Sequence, residues 1–192
     1  IVFGDWSSDV CSSDLDASLA LKINKLASRY DTTLFIVVLA AFKSLLFRYT
    51  NQDDLCVGYQ IDNRHRLQVN DAVGSFLNTL AIRTDVGDDP NFGALLRRIH
   101  ENTLDALDNR DVPFEKLLDE IKPERSLARP PIFQVMTGIQ DAPLRQLELH
   151  DLECHPIDLK ISRSHFDLEL WTYQSDQRLE ISLEYKIGRA HV

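Results

Sequence analysis

The sequence predicts an α/β domain in two layers, a mixed β-sheet with helices packed on it. Three observations predict it. Apolar residues recur at helical spacing over Ser18–Tyr30 and again from Phe92 to Leu107, the i, i+3, i+4 pattern that gives a helix one apolar face. Short runs at Leu55–Ile61 and Phe76–Val86 are bounded by turn residues and read as strands. Helical and strand-like segments also mix along the chain without strict alternation, which points to a two-layer domain with a mixed sheet.

Each element has its own warrant. In Ser18–Tyr30 the stripe is Leu19, Ile23, Leu26 and Tyr30. Thr32 or Thr33 supplies an N-cap hydroxyl for the next helix, which runs to about Tyr49. Its apolar run, Thr33–Phe47, is interrupted by Lys43 and is shorter than a membrane span, so it reads as a buried core helix. Asn51–Asp54 is a turn and Leu55–Ile61 a buried strand, followed by a polar loop over Asp62–Asp71. Phe76–Val86 alternates, with Phe76, Leu80 and Ile82 on one face and Leu77, Thr79, Ala81 and Arg83 on the other. Gly87–Asn91 breaks the strand, and Phe92, Leu95, Leu96, Ile99, Thr103, Leu104 and Leu107 form the next stripe. A short helix over about Pro113–Ile121 has Asp111 and Glu115 near its positive end. Lys122–Pro131 is irregular because proline and its predecessor reject helix. Strand-like runs follow at Ile132–Gln140, Leu147–Pro156, Phe166–Gln174 and Leu179–Tyr185.

The chain has 192 residues, a net charge of −9 and a pI of about 5.1. That balance argues against a nucleic-acid or anionic-membrane surface, which needs clustered Lys and Arg. The N-terminus has no basic region followed by an apolar one, so it does not read as a secretory signal. Three widely spaced cysteines point to a reducing compartment, hence a cytoplasmic location, rather than to a disulfide scaffold.

The two ends of the chain share an origin at the level of codons. Asp9–Leu15 is what GAC GTG TGC TCT TCC GAT CT encodes, and Ile187–Val192 is what ATC GGA AGA GCA CAC GTC encodes. The two strings are reverse complements over their shared length and resemble a short-read sequencing adapter. Extending that adapter upstream gives Asp5-Trp6-Ser7-Ser8, as found. Ile1–Leu15 and Ile187–Val192 are therefore expected to be foreign to the fold. Asp16–Lys186 is then an internal piece, truncated at both ends, of a longer protein.

No G-x-S-x-G elbow, Walker loop or dinucleotide glycine fingerprint is present. Gly74-Ser75 lacks the second glycine of a nucleophile elbow, so Ser75 reads as structural. His150, Cys154 and His155 are close in sequence, but in a strand-like segment His155 faces away from the other two, which argues against a zinc site. His100 falls in a helix among charged residues and His65 in a loop. No metal site is expected.

What stands out is an ordered string of motifs. "RYTNQDDLCVGYQIDNR" (Arg48–Arg64) is followed by "VGSFLNTLAIR" (Val73–Arg83), then "NRDVPFEKLLDEIKPERSLARPPIFQVM" (Asn109–Met136), then "FDLELW" (Phe166–Trp171) with "LEISLEY" (Leu179–Tyr185). The series resembles the condensation domains of nonribosomal peptide synthetases, with their I-G-x-F-V-N-T, H-Q-D-x-P-F-E and R-D-x-S-R-N-P-L motifs in the same order. Leu77 stands where the family favours Val, Asn109-Arg110 replaces His-Gln, and Ser126–Pro131 is a looser match to the third motif. "SFLNT" differs from the corresponding patterns of epimerisation and heterocyclisation domains, which favours peptide-bond formation.

The resemblance implies one lobe of the chloramphenicol-acetyltransferase-like fold, in which two α/β lobes form a V around a tunnel. The family's catalytic motif, H-H-x-x-x-D-G, belongs to the N-terminal lobe, and no adjacent histidines occur here. The resemblance thus implies a C-terminal lobe that contains no catalytic residue of the motif and is inactive by itself. It implies as partners peptidyl and aminoacyl carrier protein domains, the N-terminal lobe and an adenylation domain in cis. No cofactor is bound directly; phosphopantetheine arrives on the carrier domains. Asn78, in the match to I-G-x-F-V-N-T, is the candidate substrate-binding residue, a tunnel-lining group that could hydrogen-bond the reacting amide. Its alternative is a strand-end asparagine bonding its own backbone. Arg64 and Arg83 read as structural ion-pair partners. Two other functions stay open: a stand-alone acyltransferase of the same fold, and a non-catalytic docking module.

Overall fold

The computed structural model describes residues 8–64, 72–124, 129–141, 164–174 and 179–186. In chain order the elements are β1 (Ser8–Leu15), α1 (Ala17–Arg29), α2 (Leu34–Thr50), β2 (Asp54–Asp62), β3 (Leu77–Asp85), α3 (Phe92–Asp108), α4 (Phe114–Ile121), β4 (Val135–Asp141), β5 (Leu168–Gln174) and β6 (Leu179–Lys186). The local rules act where the sequence places them. Asp16 caps α1 by accepting from the Ser18 amide at 3.2 Å, Thr33 caps α2 at the Ile36 amide, and Asn91 caps α3 at the Ala94 amide. Asn51 ends α2 in the left-handed region, with φ 53°.

The strands form one sheet in the order β1-β6-β5-β4-β2-β3. The β2–β4 and β4–β5 pairs are parallel and the others antiparallel, so the sheet is mixed, as predicted. Leu55 and Val57 of β2 and Ile82 of β3 meet Leu39 of α2 and Leu96 and Ile99 of α3 in the main core. A second cluster joins Leu34, Val38 and Phe42 of α2 to Leu170 and Leu179. On the opposite face two glycines admit rings: a Cβ at Gly58 would run into Phe133, and one at Gly138 into Trp171. The α3 helix also blunts the free edge of β3, because Asn102 donates to the Arg83 carbonyl and Arg98 to the Asp85 carbonyl.

One of these expectations needs correction. Phe92 and Leu104 belong to the predicted α3 stripe but are 39% and 49% exposed, because the buried arc is narrow and contains only Leu95, Leu96, Ile99 and Thr103. The expected strand Leu147–Pro156 lies outside the described residues. Ser8–Leu15, foreign by the reading of its codons, pairs with β6 along its whole length and occupies an edge of the sheet. The reason is that an edge strand offers a row of backbone donors and acceptors to any extended chain, whatever its side chains. The side chains match poorly. Asp14 lies opposite Glu180, and Cys11 and Ser13 lie opposite Leu183 and Ile181. Like charges directly across a ladder are unfavourable.

Lys43, read from sequence as an interruption of the α2 run, is completely buried. Its Nζ donates to the Ile82 carbonyl and the Thr84 hydroxyl, both at 2.7 Å, and to the Leu55 carbonyl at 3.4 Å. It therefore ties α2 to both strands of the β2–β3 pair. Burial pulls its pKa from 10.5 down to about 7, against the opposing pull of Cys56 and Asp54. A base whose folded pKa is depressed binds its proton more readily in the unfolded chain, so stability rises with pH between the folded and unfolded values. We expect the unfolding free energy in urea to climb between pH 7 and pH 9, by at most about 1.4 kcal/mol per unit. Lys43→Met should flatten that slope; an equal slope in both proteins contradicts the assignment.

Candidate functional site

The head of the β2–β3 hairpin and the turn between α3 and α4 meet around a cleft. It has a volume of about 310 Å³ and is lined by Asn63, Phe76, Asn78, Asp111, Phe114 and Glu115, among others. Three of the four motif segments thus come together here, although the third lies more than twenty residues along the chain from the second.

Arg64 organises the hairpin side. Its guanidinium lies 4.3 Å from the centroid of the Phe76 ring, donates to the Ala72 and Gly74 carbonyls at 2.8 Å each, and lies 3.5 Å from the Asp62 carboxylate. A planar cation with five donors can stack, bind two carbonyls and keep an ion pair at once. Arg83 pairs with Asp54 through both Nε and a terminal nitrogen, the shortest contact being 2.6 Å. This hydrogen bond holds the Asp54 carboxyl below its usual range. Both arginines are ion-pair partners, as the sequence suggests, and in each pair the carboxylate is more than half exposed, where such pairs are individually weak.

Asn78 sits at the boundary between strand and turn. Its Nδ2 donates to the Arg110 carbonyl at 2.8 Å and the Val112 carbonyl at 2.9 Å. Its Oδ1 accepts from the Thr79 amide at 2.8 Å and the Phe114 amide at 3.3 Å. Both hydrogens of the side-chain amide are engaged, so in this state it has no donor left for a substrate. The sequence suggested two readings, a substrate contact or a bond to its own local backbone. The observed partners include a local one, Thr79, and three that are more than thirty residues away.

A row of aromatic rings backs the cleft. Phe114 lies 5.3 Å from Phe133, which lies 5.6 Å from Phe166. Glu169 fixes the end of that row. Though buried, it accepts from the Ser164 hydroxyl, the His165 and Phe166 amides and the Trp171 indole, so its lone pairs are satisfied. Sequence reasoning missed Asn63, Glu169 and the aromatic row; their motif membership was the only signal. A larger groove of about 480 Å³ lies on the far side of the α3–α4 turn, between β3, α3 and α4. Among the described residues no group of three or more His, Cys, Asp and Glu side chains could hold a metal ion. His65, His150, Cys154 and His155 lie outside the described residues, while His100 is half-buried on α3. Among the described residues no single helix is long and apolar enough to cross a membrane.

Comparison with known proteins matches residues 3–189 to the condensation domain family. The chain belongs to that family. This condensation-domain segment is 35% identical over 163 residues to gramicidin S synthase 2 of Brevibacillus brevis, covering 84% of the chain and 4% of that protein. It is 33% identical over 180 residues to surfactin synthase subunit 1 of Bacillus subtilis (strain 168), covering 94% of the chain and 5% of that protein. The segment therefore spans only a small part of the curated relatives it matches. Among solved structures, a holo four-domain nonribosomal peptide synthetase bound to AMP and glycine shares its fold with a TM-score of 0.83 at 20% identity, covering 95% of this chain and 15% of that one. The X-domain in complex with OxyB from teicoplanin biosynthesis gives 0.86 at 23% identity, covering 98% of this chain and 42% of that one. Likeness at that identity concerns the fold alone.

The role of Arg64 is testable. Arg64→Lys keeps the charge but loses the fork that reaches two carbonyls and the stacking on Phe76. The segment from Ala72 to Phe76 should become accessible to limited proteolysis, with the rest of the domain still resistant. Unchanged cleavage there would show that the loop is held by other means.

Proposed function

We propose that the segment is the C-terminal lobe of a condensation domain in a nonribosomal peptide synthetase, and that its parent forms amide bonds between carrier-bound acyl and aminoacyl thioesters. The observation that carries this reading is the convergence of the family motifs, from Asn63 and Phe76 to Asp111 and Glu115, on one cleft. The membership of the chain in the condensation domain family supports it. The lobe supplies one wall of the tunnel. Carrier protein domains bring each substrate on a phosphopantetheine arm, and an adenylation domain in the same chain loads one of them. The acceptor amine attacks the donor thioester carbonyl. The new C–N bond forms as the C–S bond breaks, and the proton lost by the amine passes through a general base to the thiolate leaving on the donor arm. That base belongs to the H-H-x-x-x-D-G motif of the N-terminal lobe, so the segment alone is inactive. What this lobe contributes is orientation of the arms and exclusion of water.

The termini belong to the same reading: Ile1–Leu15 and Ile187–Val192 are the two strands of one adapter, and Asp16–Lys186 is the genuine segment. The codon complementarity supports this, as do the polar residues that β1 turns toward the apolar side chains of β6.

With the full-length gene in hand, donor and acceptor carrier proteins are loaded and the products read by mass spectrometry. A dipeptidyl thioester on the acceptor carrier is the expected outcome. Free coenzyme A thioesters serving equally well without carriers would instead favour a stand-alone acyltransferase. Amplification of the locus from source DNA should give junctions that lack the codons for Asp5–Leu15 and Ile187–Val192; finding them in the genome refutes the adapter assignment.

A further inference from the structure

We infer that Asn78, seconded by Asn63, is a positioning residue that clamps the Asn109–Pro113 turn and the start of α4 to the head of β3. The clamp sets the wall that carries Asp111, Phe114 and Glu115 into the cleft. The catalytic consequence rests on the proposed function above; the clamp itself does not.

The need for a clamp follows from how weakly α4 is held. It has eight residues, none fully buried, so hydrophobic burial anchors it poorly. Its N-cap is Pro113, which has no side-chain acceptor and makes no side-chain cap bond. The first amides of a helix have no partner within it. Asn78 supplies the missing cap from another element, its Oδ1 accepting from the Phe114 amide at 3.3 Å.

The other half of the amide answers a second need. Two carbonyls of the turn, Arg110 and Val112, converge within 2.9 Å of one nitrogen. One neutral nitrogen carrying two hydrogens satisfies both. A hydroxyl has one hydrogen and an aspartate none. The position thus demands an asparagine side chain: two donors toward the turn, and one short acceptor toward Phe114 and Thr79. Asn63, at the end of β2, adds a third contact to the same place, its Nδ2 donating to the Arg110 carbonyl at 3.5 Å, the outer limit of a useful hydrogen bond. Its backbone amide bonds the Phe76 carbonyl at 2.9 Å. The two asparagines therefore project from the paired ends of the hairpin onto one carbonyl of the turn.

Hydrogen exchange read by mass spectrometry or NMR on the full chain tests the clamp. In Asn78→Ala the amides of Thr79 and Phe114 and their neighbours in the turn should exchange roughly 5–30-fold faster, the effect of one or two lost hydrogen bonds, with protection in β2 and β5 retained. Asn78→Asp should open the turn further at neutral pH, because a carboxylate then faces two carbonyl oxygens. It should partly recover on acidification below about pH 4, where the carboxyl regains one hydrogen. If Asn78→Ala loosens the whole domain, Asn63→Ala, which removes only the weaker bond, reads the same turn and should raise exchange there by a smaller factor. Turn protection that is unchanged in Asn78→Ala overturns the inference.

In the full-length synthetase, Asn78→Ala should lower kcat/KM for the carrier-bound substrates in step with the loss of turn protection, with the pH profile of kcat unchanged. A drop in kcat with turn protection intact would place Asn78 on the reacting atoms and overturn the positioning role. A wild-type synthetase that forms no dipeptidyl thioester would defeat the proposed function while leaving the exchange result, and the clamp, standing.

Discussion

The burial of the first half of α2 on every side is the constraint on which the rest of the structure depends. Seven consecutive residues, Leu34–Ala40, are buried, so this half of the helix cannot rest on the sheet with one stripe and face water with the other; only beyond it do Ala41, Leu45 and Tyr49 reach solvent. It needs the sheet beneath it and α1 and α3 around it, which is what the core clusters contain. One large apolar helix thereby fixes two layers. Lys43 completes the arrangement: a single amine inside that contact, shared between α2 and the β2–β3 pair, sets the height at which the helix meets the strands. Buried polar groups are tolerated only with their partners in place, so the register of α2 on the hairpin is specified as well as stabilised.

The site inherits that register. With β2 and β3 fixed beneath α2, and the edge of β3 held by Asn102 and Arg98 of α3, the head of the hairpin projects from the sheet in one orientation. Arg64 folds the Ala72–Phe76 segment across it, and Asn78 draws the α3–α4 turn against it. The cleft is built from polar staples on a rigid base. In the proposed function this suits a wall that orients long flexible substrates, because orientation lowers a barrier only when the wall itself does not move.

The β1 strand illustrates how little side-chain information an edge position requires. It pairs with β6 over its full length, yet Asp9–Asp14 is exposed, and only Leu15 joins the apolar cluster beneath. Backbone groups at a sheet edge pair with any extended neighbour. The pairing alone therefore says nothing about origin; the side chains are what distinguish a strand that belongs from one that merely fits.

The sequence by itself determined the class of the domain, most of its elements and its family. Helical and alternating periods act over a few residues, so α1, α2, α3, β2 and β3 could be placed from their own segments, and the N-cap Thr33 is one of the two threonines that local chemistry offered. The ordered motifs, from Arg48 to Tyr185, carried the family. Tertiary structure decided what depends on partners distant in the chain. Phe92 and Leu104 obey the helical period but lie beyond the arc that α3 buries. Lys43 looked like a break in an apolar run until Leu55, Ile82 and Thr84 came around it. Asn78 carried a motif identity and two candidate roles, and neither of them named the turn carbonyls of Arg110 and Val112, more than thirty residues on, that close upon it. A period is a property of one segment and can be read there; a hydrogen bond between segments exists only once the core has set their distance.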